Sequence, residues 1–210
     1  MLKILGRETS INVRKLLWTC DELGLTFERS DWGTPAMPLQ TPEFLALNPN
    51  ALIPVLIDDS DGGFVLWESN TICRYLAARE GRDDLLPAAP RERARVEQWM
   101  DWQAGEFNNA WRYAFMALVR RSAAHTDAVA IEASRVAWNR HMQILEGQLD
   151  KTGAFATGAA FTLADILLGL SVHRWLMTPM DKPALPAVAA YVQRLRQRAG
   201  FLKYTPQEIP

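Results

Sequence analysis

Cysteine is scarce in this chain, two residues in 210, and neither Cys20 nor Cys73 has a Cys or His near it at a metal-ligand or disulfide-framework spacing. A stapled fold and a zinc site are therefore not expected, and both thiols read as core residues. Long apolar runs are missing as well. No stretch approaches the ~18 apolar residues of a membrane span. The opening Met1-Leu2-Lys3-Ile4-Leu5-Gly6-Arg7 has neither the apolar length nor the small-residue cleavage site of a secretion signal. Nor does one sign of charge prevail: 23 basic and 24 acidic residues leave a net charge of −1, spread without blocks. That balance speaks against nucleic acid, a polybasic membrane patch or an acidic tail. A soluble cytoplasmic protein with no metal, nucleic-acid or membrane partner is the expectation. Tryptophan, by contrast, is plentiful at eight residues, and 210 residues suffice for one large domain or two small ones with a full core.

The first third alternates strand and helix signals. Leu2 to Leu5 is a short strand, and after the polar turn Gly6-Arg7-Glu8-Thr9-Ser10 the residues Val13, Leu16, Leu17, Cys20 and Leu23 share one helical face that ends at Gly24. Phe27 to Asp31 suits a second strand, parallel to the first by a crossover. Thr41-Pro42-Glu43 opens a short helix to Leu47, with Pro at its first turn. Val55 to Ile57 and Phe64 to Trp67 flank a turn-rich Asp58-Asp59-Ser60-Asp61-Gly62-Gly63, which predicts an antiparallel hairpin. A helix carrying Ile72, Tyr75, Leu76 and Arg79 follows. The Gly- and Pro-containing segment 81–90 breaks the pattern and reads as a linker. Beyond it the signals are helical: a long helix from Pro90 through Trp99, Phe107 and Leu118, a second over about 127–149, a third over 163–177 and a fourth after Pro186. The expected organisation is an α/β domain over 1–80, a linker over 81–90 and an all-α domain over 91–210.

Two local features stand out. Pro54 interrupts an apolar run, Leu52-Ile53-Pro54-Val55-Leu56-Ile57, just after a turn-forming Asn48-Pro49-Asn50. Proline has no N–H for a ladder, so it either opens a strand in the trans form or marks a cis X–Pro bond at a strand entrance. A cis bond would leave the backbone beside it facing outward, ready to pair with a peptide-like ligand as an added strand does. The second feature is Phe161-Thr162-Leu163-Ala164-Asp165-Ile166, where Thr162 and Asp165 match a helix N-cap and its partner, and Phe161 and Ile166 match a hydrophobic staple. A folding role for Asp165 follows, not a catalytic one.

The order of these elements, the run Asn48–Leu56, Trp67-Glu68-Ser69-Asn70, Leu86-Pro87 and the Phe161–Ile166 cap together resemble the cytosolic glutathione transferases, and Gly6 to Lys15 is most similar to their bacterial, theta-like members. The resemblance implies a thioredoxin-like first domain that binds glutathione, an all-α second domain that receives the electrophile, no metal, and a homodimer. It further implies activation of the glutathione thiol for attack on small electrophiles such as halogenated compounds, or glutathione-dependent reduction of disulfides or peroxides, or a non-enzymatic binding role. Tyr75 is the first tyrosine and Cys20 lies about two turns into the first helix, so neither a tyrosine-type nor a cysteine-type member is indicated.

A free thiol near pKa ~8.5 is mostly protonated at neutral pH, and thiolate is the nucleophile. A hydroxyl at a helix N-terminus favours the anion by its hydrogen bond and by the helix's partial positive charge. Ser10 combines both and lies four residues before Arg14, as in serine-type members; Thr9 and Asn12 compete for the same role, and Ser10 also suits a plain N-cap. Glu68 and Ser69, at a strand end where a helix begins, suit the ammonium and carboxylate of the γ-glutamyl group or serve as a simple cap. The resemblance assigns the Ile53 backbone, before Pro54, to the cysteinyl unit. Ala51 stands where relatives carry His or Gly, which leaves Gln40 or Asn50 for the glycyl carboxylate. Trp111 and Phe115, with Asn108 and Arg112 beside them and Trp32 in an early loop, are candidates for the electrophile pocket, although such aromatic spacing also suits a core.

Overall fold

The computed structural model describes residues 1–206 of the chain. They form two compact units, one spanning Met1–Leu86 and a second beginning at Pro87.

In the first unit β1 (Leu2–Leu5), β2 (Phe27–Ser30), β3 (Val55–Asp58) and β4 (Phe64–Trp67) make one sheet in the order β2-β1-β3-β4. β1 and β2 are parallel, joined through α1 (Ile11–Leu23), whose buried face includes Val13, Leu16, Leu17 and Cys20. Gly24 ends that helix in the left-handed conformation at φ 67°. β3 runs antiparallel to both neighbours, with Val55 opposite Leu5 on one side and Trp67 on the other. α2 (Pro42–Leu47) starts with Pro after a Thr41 cap whose Oγ1 accepts from the Phe44 N–H, and α3 (Ser69–Arg79) follows β4 directly. One face of the sheet packs Leu5 and Val55 against Trp32 and Phe44. At the far end of β3 the buried Asp58 accepts from Ser60, Tyr75 and Arg79. Burial pushes its carboxyl up, but those donors outweigh it and hold the pKa near about 2.

The second unit is helical: α4 (Pro90–Trp102), α5 (Asn108–Leu118), α6 (Ala128–Thr152), α7 (Leu163–Met177), α8 (Pro186–Leu195) and α9 (Ala199–Tyr204). Between α4 and α5 one wide π-helical turn, Gln103–Phe107, carries the chain on without a break, so the single long helix expected from Pro90 is two helices joined by a bulge. α9, six residues long, carried too little periodicity to be expected at all. α7 is buried along most of its length. Its start is the expected cap: the Thr162 N–H and hydroxyl both donate to Asp165 Oδ2, at 2.9 and 3.1 Å. The other oxygen, Oδ1, accepts from the Ala156 N–H at 2.9 Å and the Tyr191 hydroxyl at 3.0 Å. Asp165 thus ties the 156–162 loop and α8 to α7.

Burial pushes the Asp165 carboxyl up to about 6 against the pull of its four donors. A folded-state pKa above the unfolded value of about 4 contributes stability that is complete below pH 4 and lost as pH rises to 6, on the order of 3 kcal/mol. Asp165→Asn cannot titrate, and its NH2 must face an N–H or O–H donor. Urea denaturation should show it less stable than the parent by at least ~1 kcal/mol at pH 7, with the gap widening toward pH 4.5. A pH-independent gap would contradict this account of the carboxyl.

Candidate functional site

Three chain segments meet at one end of the sheet. β1 leaves at Leu5 into Gly6, where φ is 152° and a Cβ would stand 2.6 Å from the Val13 side chain. Only glycine lets the chain pass so close to α1. The turn that follows is held by the Ser10 N–H donating to the Arg7 carbonyl and by Arg14 Nε donating to the Glu8 carbonyl at 2.9 Å. Ser10 is the N-cap residue of α1 in extended conformation, but its hydroxyl makes no cap hydrogen bond. It has no other partner among the described residues, and neither has the Asn12 amide two residues on. The simple-cap explanation of Ser10 therefore lacks its defining bond.

β3 enters the same end through Ile53-Pro54, whose peptide bond is cis. The Ile53 side chain turns in toward Gly6 and Gly33, while its N–H and C=O find no partner among the described residues. β4 leaves at Trp67 into Glu68, a non-glycine residue at φ 74°, ψ 105°. Such a conformation costs of order 1–3 kcal/mol and collects at functional sites. Ser69 opens α3, whose first-turn N–H groups have no helical acceptors. Asn12, Asn48, Leu52, Ile53, Pro54, Glu68 and Ser69 line a small open cleft between these segments.

Of the sequence candidates, Asn12, Ile53, Pro54, Glu68 and Ser69 are brought together there. Ser10 sits beside them at the head of α1 without lining the cleft, and Thr9 is exposed in the preceding turn. Gln40 is exposed away from the lining. Asn50 is also outside it, because its backbone N–H and its Nδ2 both donate to Asn48 Oδ1 at 3.1 Å. Asn48 was missed: buried, it receives those bonds and donates Nδ2 to the Leu52 carbonyl at 2.8 Å, which shapes the loop into β3. The signal lay in the Asn-Pro-Asn turn, since Asn side chains commonly bond their own backbone. Trp32, expected at the electrophile pocket, belongs instead to the core, its ring centroid 5.0 Å from Phe44. A large apolar ring in a loop beside a strand finds its burial under the sheet.

In the helical unit Trp111 and Phe115 meet edge to face at 5.4 Å, and Trp111 Nε1 donates to Asn108 Oδ1 at 3.0 Å. The cation among them is not Arg112, which is exposed. It is the buried Arg174 of α7, its guanidinium carbon 4.6 Å from the Trp111 ring and 4.2 Å from the Phe115 ring. Phe115 is buried and packs as core. Among the described residues no cluster of His, Cys, Asp or Glu has the makings of a metal site. Burial pushes the Cys20 and Cys73 thiols up to about 12 and about 11, which leaves both unreactive.

A thioredoxin-like sheet with such a cleft, followed by a helical unit, defines a class. A family model described as the glutathione S-transferase N-terminal domain matches residues 9–79, and one described as the C-terminal domain matches residues 128–194. The chain belongs to the glutathione S-transferase family and is an enzyme of that class. It is 35% identical over 203 residues to glutathione S-transferase GstB of Escherichia coli, covering 97% of each chain. It is 33% identical over 167 residues to the disulfide-bond oxidoreductase YfcG of E. coli, covering 75% of this chain and 73% of that one. Among solved structures, the glutathione-bound theta class enzyme of Xanthomonas axonopodis pv. citri superposes with a TM-score of 0.90 at 35% identity, covering 100% of this chain and 99% of the other.

The strained Glu68 gives a direct test. Glu68→Gly relieves φ 74° and keeps an acceptable N-cap, so thermal unfolding should show stability unchanged or raised by up to ~1 kcal/mol. Lower stability would mean that the conformation is not strained.

Proposed function

We propose that the cleft binds glutathione and that the enzyme adds its thiolate to small electrophiles such as halogenated compounds. The observation that carries this reading is the convergence, in one cleft, of the first turn of α1 with its unpaired Asn12 side chain, the unpartnered Ile53 peptide groups and the Glu68-Ser69 pair. Ile53 offers one N–H and one C=O to the cysteinyl unit, which would be held as a short added strand. Ser69 and the first-turn N–H groups of α3 suit the γ-glutamyl carboxylate, and Glu68 suits its ammonium. At the head of α1, Ser10 or Asn12 donates to sulfur, and the helix end adds partial positive charge. The thiol proton then leaves to solvent, the C–S bond forms, and halide departs with the electrons of the broken carbon–halogen bond.

The roles of Trp111 and Asn108 toward the electrophile belong to this reading, as do a homodimer, a cytoplasmic location and a part in detoxification. A second reading, glutathione-dependent disulfide reduction, is favoured by the fact that Asn12 lines the cleft and Ser10 does not, and by the similarity to YfcG. Turnover of chloro- and bromo-compounds compared with reduction of 2-hydroxyethyl disulfide separates the two.

Ser10→Ala and Asn12→Ala identify the donor. The variant that loses it should raise the apparent pKa in the pH–rate profile by about 1 unit, equivalent to roughly 1.4 kcal/mol; the other should leave the profile in place. If neither shifts it, sulfur is not activated at the head of α1. Glu68→Ala should raise KM for glutathione far more than KM for the electrophile, and equal effects would refute the γ-glutamyl assignment.

A further inference from the structure

Lys15 lies in the second turn of α1 and is 1% exposed, a burial that lysine rarely accepts without a hydrogen-bonding partner. Its Nζ donates to Asn70 Oδ1 at 3.0 Å, across the packed faces of α1 and α3. Asn70 is the second residue of α3 and is itself 6% exposed. The same Oδ1 faces the hydroxyl of Ser69, at a long 3.5 Å. A chain of contacts thus runs from the helix that carries Asn12, through a buried ammonium and an amide, to the Ser69 hydroxyl at the cleft.

An amide oxygen can accept two hydrogen bonds, but here one comes from a cation. The bond to an ionised donor is the stronger, and the ammonium's positive charge disfavours a second proton at the same oxygen. That competition accounts for the long Ser69 contact and leaves the hydroxyl free to turn toward a ligand. Without the ammonium, Asn70 Oδ1 would take the Ser69 hydroxyl as its donor and draw it inward.

We propose that Lys15 is a positioning residue for glutathione: by occupying Asn70 Oδ1 it keeps the Ser69 hydroxyl available to the γ-glutamyl carboxylate. The inference rests on the reading of Glu68 and Ser69 as the γ-glutamyl site, and its distinguishing mark is that the effect is confined to that end of the ligand.

Titration calorimetry on the full-length protein with S-hexylglutathione and with S-hexylcysteinylglycine, which lacks the γ-glutamyl group, tests it. Lys15→Met should weaken the first ligand about tenfold, the equivalent of one hydrogen bond to a charged group, and leave the second unchanged. Lys15→Arg should restore affinity to within about threefold. In turnover, KM for glutathione should rise while kcat at saturating glutathione stays within about twofold, since the lost contact is a binding one. Should Lys15→Met fail to fold, Asn70→Asp places a carboxylate that captures the hydroxyl and repels the ligand's own carboxylate. It should weaken S-hexylglutathione at least about tenfold and spare the dipeptide. Equal loss for both ligands, or wild-type affinity in Lys15→Met or in Asn70→Asp, overturns the inference while Ser69→Ala still weakens S-hexylglutathione. If Ser69→Ala binds like the parent, the γ-glutamyl reading itself fails and the inference with it.

Discussion

The antiparallel pairing of β3 with both its neighbours is the constraint on which the rest of the first unit depends. Leu5, Val55 and Trp67 stand in one row of the sheet, so the end of β1, the start of β3 and the end of β4 arrive at the same edge. A one-residue slip in either pairing would turn the fully buried Val55 to the opposite face, a cost that fixes the register. The chain beyond each of these residues has no freedom to go elsewhere. Gly6 leads into α1, Ile53-Pro54 leads into Val55, and Glu68 leads into α3. The cleft is therefore a consequence of the ladder, and its side chains were placed by residues that never touch it.

Much of this was legible from local chemistry. The turn-rich stretch after Asp58, the odd proline at position 54 and the Thr162–Asp165 cap each carry their cause within a few residues, and each is present. Other features were not legible because their cause lies far along the chain. Arg174 reaches the Trp111 ring from a helix some sixty residues on, whereas helical spacing offers only Arg112 as a cation there. The wide turn Gln103–Phe107 inserts extra backbone without disturbing composition, so an apolar count runs straight through it. Trp32 is ambiguous in sequence, since a ring in a loop can line a pocket or fill a core, and the presence of Phe44 decides for the core. Asn48 was hidden by its own turn: the same residues that announce the bend also bond its backbone and shape the loop beside the cleft.

The strained Glu68 and the buried Lys15 belong to one economy of structure. Both depart from what the local sequence prefers, a positive φ for a branched-chain-free acidic residue and a cation withdrawn from water, and both lie on the path to the N-terminus of α3. Departures of this kind persist only where surrounding structure over-determines them. Here α1 and α3 supply it, with Thr19 donating to Cys73 at 3.2 Å beside the Lys15–Asn70 bond. Those contacts between α1 and α3 set where the two helix starts meet at the cleft.

On the proposed reading, a contrast of environments lets one protein hold thiols in opposite states. Cys20 of α1 and Cys73 of α3 are both fully buried, where loss of water pushes their pKa up to about 12 and about 11. A thiol brought to the head of α1 meets the reverse: the N–H end of the helix and the unbonded side chains of Ser10 and Asn12. Each unit of pKa depression there corresponds to roughly 1.4 kcal/mol of preference for the anion, within reach of one hydrogen bond to a charged acceptor or of a helix end. Activation on the proposed reading therefore needs no unusual residue. It needs a sulfur delivered to the tip of a helix whose own cysteine, Cys20, stays buried further along it, and that division follows from which face of α1 packs against α3.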